Sequence, residues 1–244
     1  MKHKEIVLKG GSNAESVVRI GDTVHRTKST TYPFTHSLLQ FLEHSNFSYA
    51  PRFLGIDEKG REILSFIDGE VPRDIVLHDE QIFHAIKLLR QYHDITAKSP
   101  LCGNHETICH NDFAPWNIIY NDDIPVGIID FDEAAPGLRI DDVAYFLWTF
   151  LDLGTAKKSG TKQIRKIVEL CSTYQLENQK ELVEAILRQQ HRILAFRNDI
   201  AIHETDLERK TFSQTAIRRI ELEIEWTKSN RELIENSLES KLLK

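Results

Sequence analysis

The sequence is poor in cysteine and in long apolar runs. It has 244 residues, of which three are cysteine, and so few thiols favour reduced side chains over a disulfide framework. No run of about 18 apolar residues occurs, so no segment is predicted to span a membrane. The first residues also lack an apolar segment typical of a secretory signal. We therefore expect a cytoplasmic protein that has no membrane partner.

A long basic run is missing as well. The chain carries 31 Lys and Arg residues against 37 Asp and Glu residues, a formal net charge of −6. Proteins that bind nucleic acid usually present a basic patch or stripe, so we expect no nucleic-acid partner. Its 41% hydrophobic and 28% charged content is ordinary for a globular protein. The length allows one large domain or two lobes.

A group of acidic and amide residues is present in the middle third of the chain. Asp112 and Asn117 are followed by two apolar segments, Trp116–Tyr120 and Pro125–Phe131, with an Asn-Asp-Asp turn between them. This pattern predicts an antiparallel hairpin. Pairing across the turn places Asn117 near Gly127 or Ile128, with Asp130 just beyond that end. We expect Asp112, in the loop that enters the hairpin, to lie at the same end.

These side chains offer oxygen atoms, which are the ligands that magnesium prefers. Magnesium keeps several waters and phosphate oxygens, so one or two protein ligands suffice, and Asp112 would remain available to face a hydroxyl nucleophile. Each residue taken by itself would more often cap a loop. The combined spacing favours a magnesium–phosphate site.

The segments HNDFAPWN, residues 110–117, and IDF, residues 129–131, resemble the aminoglycoside phosphotransferase and choline kinase family. Members of this family are small-molecule kinases with a protein-kinase-like fold. The resemblance implies an α+β protein with two lobes: an N-terminal antiparallel sheet with one helix, and a mostly helical C-terminal lobe that contains the catalytic hairpin. It also implies Mg²⁺-dependent transfer of the γ-phosphoryl group of ATP or GTP to a hydroxyl of a small-molecule acceptor.

The resemblance assigns roles to five residues. Asp112 would be the catalytic aspartate that orients the acceptor hydroxyl or accepts its proton. Asn117 and Asp130 would bind the magnesium ion. His110 would support the catalytic loop as a scaffold residue, and Asp142 would support that loop through hydrogen bonds.

The N-terminal part agrees with a kinase small lobe. One helix near Pro33–Glu43 is predicted between the third and fourth of five short strands: Glu5–Leu8, Ser16–Ile20, Thr23–Thr27, Arg52–Asp57 and Arg61–Ile67. We expect residues 1–67 to form a nucleotide-binding lobe and residues 68–244 to form the catalytic and acceptor-binding lobe. Ser65, Phe66 and Ile67 would form the hinge that meets a purine.

Two features depart from the usual kinase pattern, in which a lysine on the third strand pairs with a helix glutamate. Arg26 takes the position of the lysine, and Lys28 is predicted to share its strand face. Thr35 and His36 stand where the glutamate is expected, so the ion pair is either absent or replaced. The segment Gly10–Asn13 is a weak candidate for a glycine loop, and a plain hairpin turn suits it equally well.

The stretches GDTVHR and PRFLGIDEKGREILSFIDGE also resemble a bacterial subgroup that includes trifolitoxin-immunity-type proteins. An immunity protein could act by binding instead of by modification. The alternative function is therefore a nucleotide-binding or ligand-sequestering protein with little or no catalysis.

The remainder of the chain is predicted to be helical, with aromatic residues such as Phe196 and Trp226 packed in the core. The expected helices are Asp79–Ile95, Asp141–Leu153, Thr161–Tyr174, Asn178–Ile202 and Thr211–Leu238.

Cys102, His105, Cys109 and His110 could suggest a zinc site. Adjacent residues in an extended segment point in opposite directions, however, which makes one shared centre awkward. A metallohydrolase that uses His110 and Asp112 would need further paired histidine ligands, which the sequence lacks.

Overall fold

The computed structural model describes residues 4–8, 17–72, 77–155 and 160–242. The predicted glycine loop, Gly10–Asn13, lies outside these ranges. The chain divides into two compact units, residues 1–137 and 138–244. This division differs from the lobe boundary predicted after residue 67, which remains a prediction.

The first unit begins with a five-stranded antiparallel sheet. Its strand order is β1-β2-β3-β5-β4, and the strands are β1 (Ile6–Val7), β2 (Val18–Ile20), β3 (Thr23–Arg26), β4 (Phe53–Ile56) and β5 (Glu62–Ser65). The register pairs Thr23 with Ser65 and Arg26 with Glu62. Side chains alternate between the two faces of a strand, and on β5 the buried positions are Glu62 and Leu64. An acid therefore occupies an inward position of this sheet.

Helix α1 (Tyr32–His44) connects β3 to β4, as predicted. Pro33 lies in its first turn, where the missing backbone N–H costs no helical hydrogen bond. Leu38, Leu39 and Leu42 recur at helical spacing and are almost fully buried, so this apolar face anchors the helix in the unit.

The described residues after β5 in the first unit include helix α2 (Asp79–Thr96) and four short strands, β6 (Thr107–Cys109), β7 (Ile118–Asn121), β8 (Ile124–Ile128) and β9 (Ala135–Gly137). Strand β7 pairs with β8, and β6 pairs with β9. Sequence reasoning missed β6 and β9, each of which has three residues, too few for a recognisable alternation.

The predicted hairpin is present, and Tyr120 pairs with Pro125 across the turn. Both strands are shorter than predicted, because 3₁₀ turns replace their outer ends at Pro115–Asn117 and Phe131–Glu133. Asn117 therefore lies in the first of these turns, and Asp130 immediately precedes the second.

The second unit is helical and contains α3 (Arg139–Leu151), α4 (Gly160–Tyr174), α5 (Leu182–His203), α6 (Leu207–Ser229) and α7 (Arg231–Leu242). The single helix predicted over Thr211–Leu238 is wrong. The chain breaks at Asn230, whose side-chain amide donates to the carbonyl of Trp226 and competes with the helical bonding pattern. No helix in the described ranges has the length and apolarity needed to cross a bilayer.

Burial of Phe196 was also predicted wrongly, because this side chain is 55% exposed. It lies on α5, and the guanidinium of Arg197 lies 5.5 Å from its ring centre. The helical spacing of aromatic residues therefore did not identify the buried face of this helix.

Gly69 generates a prediction about stability in the first unit. Its φ is +143°, and an added Cβ would lie 2.6 Å from both the Tyr120 carbonyl oxygen and a methyl carbon of Ile119. Glu70 and Tyr120 exchange two backbone hydrogen bonds of 2.8 Å, so the backbone there cannot easily yield. Gly69→Ala should lower the free energy of unfolding in urea by more than Gly55→Ala does.

Gly55 is the matched control, because its φ is +126° but nothing lies within 4 Å of an added Cβ. Gly55→Ala therefore introduces backbone strain without a steric clash of the added Cβ. We expect the two losses to differ by about 1–3 kcal/mol, the usual range for overpacking. Equal losses would show that the close approach of Gly69 to Tyr120 has no energetic importance.

Glu223 generates a prediction about pH in the second unit. Its carboxylate is 2% exposed, accepts a 2.9 Å hydrogen bond from Trp148 Nε1 and pairs with Arg219 at 3.0 Å. Burial raises the pKa of Glu223 to about 7 from its ordinary value of 4.5, although Arg219 and Trp148 act in the opposite direction. The folded state therefore binds this proton more tightly than the unfolded state does. The resulting stability is fully present below pH 4.5 and is lost as the pH rises through 7.

Glu223→Gln keeps an oxygen acceptor for Trp148 but has no charge to bury. Relative to the wild type, its free energy of unfolding should rise between pH 5 and pH 8, by up to about 3 kcal/mol. Urea denaturation at the two pH values measures this change, and Glu221→Gln on the exposed face of α6 is the control. A difference from wild type that is the same at both pH values would contradict the prediction.

Candidate active site

The loop that follows β6 is organised by His110, which is fully buried. Its Nε2–H donates to the Ile129 carbonyl at 3.2 Å, and its Nδ1 accepts from the backbone N–H of Asp112 at 3.3 Å. The tautomer protonated at Nε2 satisfies both contacts. The ring also packs against Phe131, with ring centres 4.7 Å apart. His110 thus connects this loop to the segment that follows β8.

Asp112 is held directly by Asn117. The side-chain amide of Asn117 donates to the Asp112 carboxylate at 2.7 Å and to the Asp112 backbone carbonyl at 2.9 Å. Both partners are acceptors, so the amide nitrogen must face Asp112, and the Asn117 Oδ1 faces away from these contacts. The preceding residue, Asn111, has a φ of +62°, a left-handed conformation that asparagine tolerates better than most residues.

Asp130 lies beside this pair through the hairpin register. The backbone N–H of Ile129 donates to the Asn117 carbonyl at 2.9 Å, which puts Asp130 one residue away from that contact. Asp130 has a φ of +66° and a ψ of +65°. The left-handed turn ends the pairing, and the Asp130 side chain remains 47% exposed. Of the three residues predicted for the magnesium–phosphate site, the structure joins Asp112 to Asn117 directly and places Asp130 one residue from a backbone contact of Asn117.

Arg26, at the end of β3, faces the same segment. Its Nη1 donates to Asp130 at 3.2 Å and its Nη2 donates to Asp132 at 2.6 Å. Its Nε donates to Glu62. Burial by itself would lower the pKa of Arg26, but the charges of Asp132, Glu62 and Asp130 outweigh that effect and raise it. The guanidinium is therefore a permanent cation at this site.

Glu62 and Asp132 contact Arg26 although sequence reasoning assigned them no role. Glu62 has a sequence signal, since it is an acid at an inward position of an apolar strand. Asp132 comes two residues after Asp130. Burial raises the pKa of Asp132, and repulsion from Asp130 adds to this effect, whereas Arg26 lowers the pKa. The described residues thus gather three carboxylates around one arginine.

Lys28 lies apart from this group. Strand β3 ends at Arg26, so the argument from a shared strand face does not extend to Lys28. Its ammonium nitrogen lies 4.8 Å from the ring centre of Tyr32. The nucleotide-binding role predicted for it remains a prediction.

The predicted hinge residues already use part of their backbone for the sheet. The N–H groups of Ser65 and Phe66 donate to the carbonyls of Arg52 and Asp22, each at 2.9 Å. Ile67 packs onto Gly127 of β8, where an added Cβ would come within 2.8 Å of its side chain. A purine would therefore have to meet backbone groups other than these two N–H groups.

Asp142 is fully buried in the first turn of α3, in the second unit. Its predicted support of the catalytic loop remains a prediction. The zinc alternative is not supported within the described ranges, because Cys102, His105, Cys109 and His110 do not gather as a set of ligands. The Cys102 thiol instead donates to the His105 carbonyl at 3.0 Å.

The donors at this site suit magnesium. Asn117, Asp130 and Asp132 offer amide and carboxylate oxygens, which are the ligands of hard divalent cations. Zinc sites usually contain sulfur or imidazole nitrogen, and these side chains supply neither. The residues present therefore fit the metal that the family resemblance implies.

Part of the chain is similar to known proteins. Residues 103–157 match the family model described as "Phosphotransferase enzyme family". The trifolitoxin immunity protein of Rhizobium leguminosarum bv. trifolii is 36% identical over 160 residues, which cover 59% of this chain. The match spans 61% of that relative, less than two thirds of its length.

Solved structures show the fold. An ethanolamine kinase from Plasmodium vivax superposes with a TM-score of 0.63 at 12% identity, over 88% of this chain and 82% of that chain. Spectinomycin phosphotransferase in complex with ADP and spectinomycin superposes with a TM-score of 0.60 at 14% identity, over 92% and 89% of the two chains. The predicted α+β, protein-kinase-like fold is confirmed. The chain thus has the fold of these small-molecule kinases, and its residues 103–157 carry the sequence signature of the phosphotransferase enzyme family.

Proposed function

We propose that this protein is a Mg²⁺-dependent phosphotransferase that moves the γ-phosphoryl group of a nucleoside triphosphate to a hydroxyl of a small molecule. The observation that carries the proposal is the contact of Asn117 with Asp112 on one side and with Ile129, next to Asp130, on the other. One amide residue thereby joins the proposed catalytic aspartate to a proposed metal ligand. The match of residues 103–157 to the phosphotransferase family supports the same function.

Each residue has a part that its geometry allows. Asp112 orients the acceptor hydroxyl and takes up its proton as the oxygen attacks phosphorus. Asn117 fixes Asp112 through its amide nitrogen, which leaves its Oδ1 for the metal. Asp130 and Asp132 supply further oxygen ligands. Bound magnesium would neutralise charge on the β- and γ-phosphates of the nucleotide.

Arg26 would bind the phosphates in place of the lysine usual in kinases. A guanidinium can donate two parallel hydrogen bonds to phosphate oxygens, so the exchange need not weaken binding. Its present partners Asp130 and Asp132 are the carboxylates that would face the metal. Nucleotide binding would therefore replace carboxylate–arginine contacts with carboxylate–metal and arginine–phosphate contacts.

A second candidate function is the binding or sequestration of a nucleotide or another ligand with little turnover. The observation that favours it is the relative named as an immunity protein, which matches 59% of this chain. Calorimetry with Mg²⁺–ATP and Mg²⁺–GTP tests binding. Detection of nucleoside diphosphate release with aminoglycosides, amino alcohols, nucleosides and sugars tests transfer. Binding without acceptor-dependent release would favour this second function.

Asp112→Asn tests the role of the catalytic aspartate. The amide can still accept the hydrogen bond from Asn117, but it cannot take up a proton. Turnover with the best acceptor should fall by about 10²-fold or more, whereas affinity for the Mg²⁺–nucleotide should not change. Steady-state kinetics and calorimetry measure the two effects, and wild-type turnover in this variant would refute the role.

Asp130→Asn tests the metal ligand without disturbing the backbone, because asparagine also accepts the left-handed conformation. The variant should require a higher Mg²⁺ concentration for half-maximal nucleotide binding, since a carboxylate ligand becomes a neutral amide. Asp122→Asn is the matched control, because Asp122 has a φ of +54° in the turn of the same hairpin. If the two variants show the same Mg²⁺ dependence, Asp130 does not bind the metal.

A further inference from the structure

The carboxylate that holds the site arginine comes from an unexpected element. Protein kinases usually pair a lysine on the third strand with a glutamate on the following helix. Here α1 carries its carboxylate at Glu43, in the last turn, and has Thr35 and His36 where the glutamate is expected. The partner of Arg26 is instead Glu62 of β5, the strand hydrogen-bonded to β3.

Both oxygens of Glu62 are used. Oε1 accepts the hydrogen bond from Arg26 Nε, and Oε2 accepts one of 2.7 Å from His36 Nε2. The His36 ring stacks on Phe53, with ring centres 3.7 Å apart and planes inclined by 18°. The Glu62 side chain is 1% exposed. The carboxylate therefore links the arginine of β3 to helix α1 in a fixed geometry.

This geometry keeps Glu62 away from the outer edge of the guanidinium. Glu62 binds only Nε, whereas Nη1 and Nη2 point to Asp130 and Asp132. A planar guanidinium held at Nε cannot rotate without breaking a charged hydrogen bond to a buried group, which is costly. The two Nη atoms are consequently directed towards the place where phosphate oxygens would lie in the proposed function.

We propose that Glu62 is the positioning residue for a phosphate-binding Arg26, and that His36 connects this pair to helix α1. The Arg26–Glu62–His36 group would take the place of the lysine and helix glutamate of other kinases. The inference rests on the proposed phosphotransferase function, because it gives Arg26 a phosphate to bind.

A second group of the same composition provides a control within the same sheet. Asp57 accepts hydrogen bonds from Arg61 Nε at 2.7 Å and pairs with His25 Nδ1 at 2.9 Å. It too is a largely buried carboxylate between an arginine and a histidine. None of the hydrogen bonds of Asp57 involves Arg26, so Asp57→Asn matches the loss of a buried carboxylate without touching the proposed site.

The test compares nucleotides that differ in their phosphates. For Glu62→Gln, affinity for Mg²⁺–ATP or Mg²⁺–GTP, whichever the wild type binds, should fall by about 10-fold, the loss expected for one charged hydrogen bond. Affinity for the corresponding monophosphate should not change. Asp57→Asn should lower the melting temperature but leave the ratio of the two affinities at the wild-type value. A purely structural role for Glu62 would lower both affinities together.

A variant that moves the carboxylate from β5 to α1 distinguishes loss of Arg26 positioning from general structural damage. In His36→Glu/Glu62→Gln the carboxylate moves to the helix, and the glutamine at position 62 can donate to it while accepting from Arg26. This double variant should regain at least half of the lost triphosphate selectivity on a logarithmic scale. No recovery in a protein that is folded by circular dichroism would overturn the inference.

Arg26→Lys provides a second route if Glu62→Gln does not fold. It keeps the positive charge but loses the two Nη donors and the hydrogen bond from Nε to Glu62. It should therefore lose triphosphate selectivity as well. Wild-type selectivity in Arg26→Lys, or in Glu62→Gln, overturns the positioning role alone. A wild-type protein that prefers neither triphosphate over its monophosphate overturns the proposed function and this inference together.

Discussion

One guanidinium connects the elements on which the candidate site depends. Arg26 reaches Glu62 on the neighbouring strand and Asp130 and Asp132 beyond β8. A largely buried cation is costly unless charged partners compensate its lost hydration, and here three carboxylates do so. The N-cap residue of helix α1 reaches the same segment, because the Thr31 hydroxyl donates to the Asp132 carbonyl at 2.7 Å. The sheet, the helix and the segment after the hairpin therefore share one polar junction.

The charges at this junction favour a ligand that carries both signs. Three carboxylates surround one arginine, and Asp112 lies nearby on the other side of Asn117. The surplus is negative, so a divalent cation can be added more easily than an anion. A metal–phosphate pair would give the carboxylates a cation and give Arg26 an anion. The cation by itself would bring no anion to Arg26, and the phosphate by itself would bring no cation to the carboxylates.

The parts that sequence predicted are those fixed by local chemistry. The Asn-Asp-Asp turn and the apolar strands beside it predicted the hairpin and its Tyr120–Pro125 pair. They did not predict the irregularity between Ile119 and Tyr120, after which Asn117 meets Ile129 and not Gly127 or Ile128. Glu62 was missed because its partner depends on β5 lying beside β3, which is a tertiary pairing between residues 36 positions apart. The break at Asn230 was missed for a different reason, since the apolar spacing continues across it. The spacing of apolar residues indicates which face of a helix is apolar. It does not indicate whether a side chain competes for a backbone carbonyl and ends the helix.

The absence of a helix glutamate is a weaker argument against catalysis once the pairing of Arg26 is known. What the chemistry requires of that glutamate is a fixed negative partner that orients a phosphate-binding cation. A carboxylate on the adjacent strand can meet this requirement, because the strand register fixes it opposite Arg26. His36 on α1 then connects the pair to the helix. It donates a hydrogen bond to Glu62, whereas a helix glutamate would accept one from the cation. The sequence departs from the usual kinase pattern at two positions that compensate each other: α1 has no acid where a glutamate is expected, and β5 has Glu62, which accepts from Arg26.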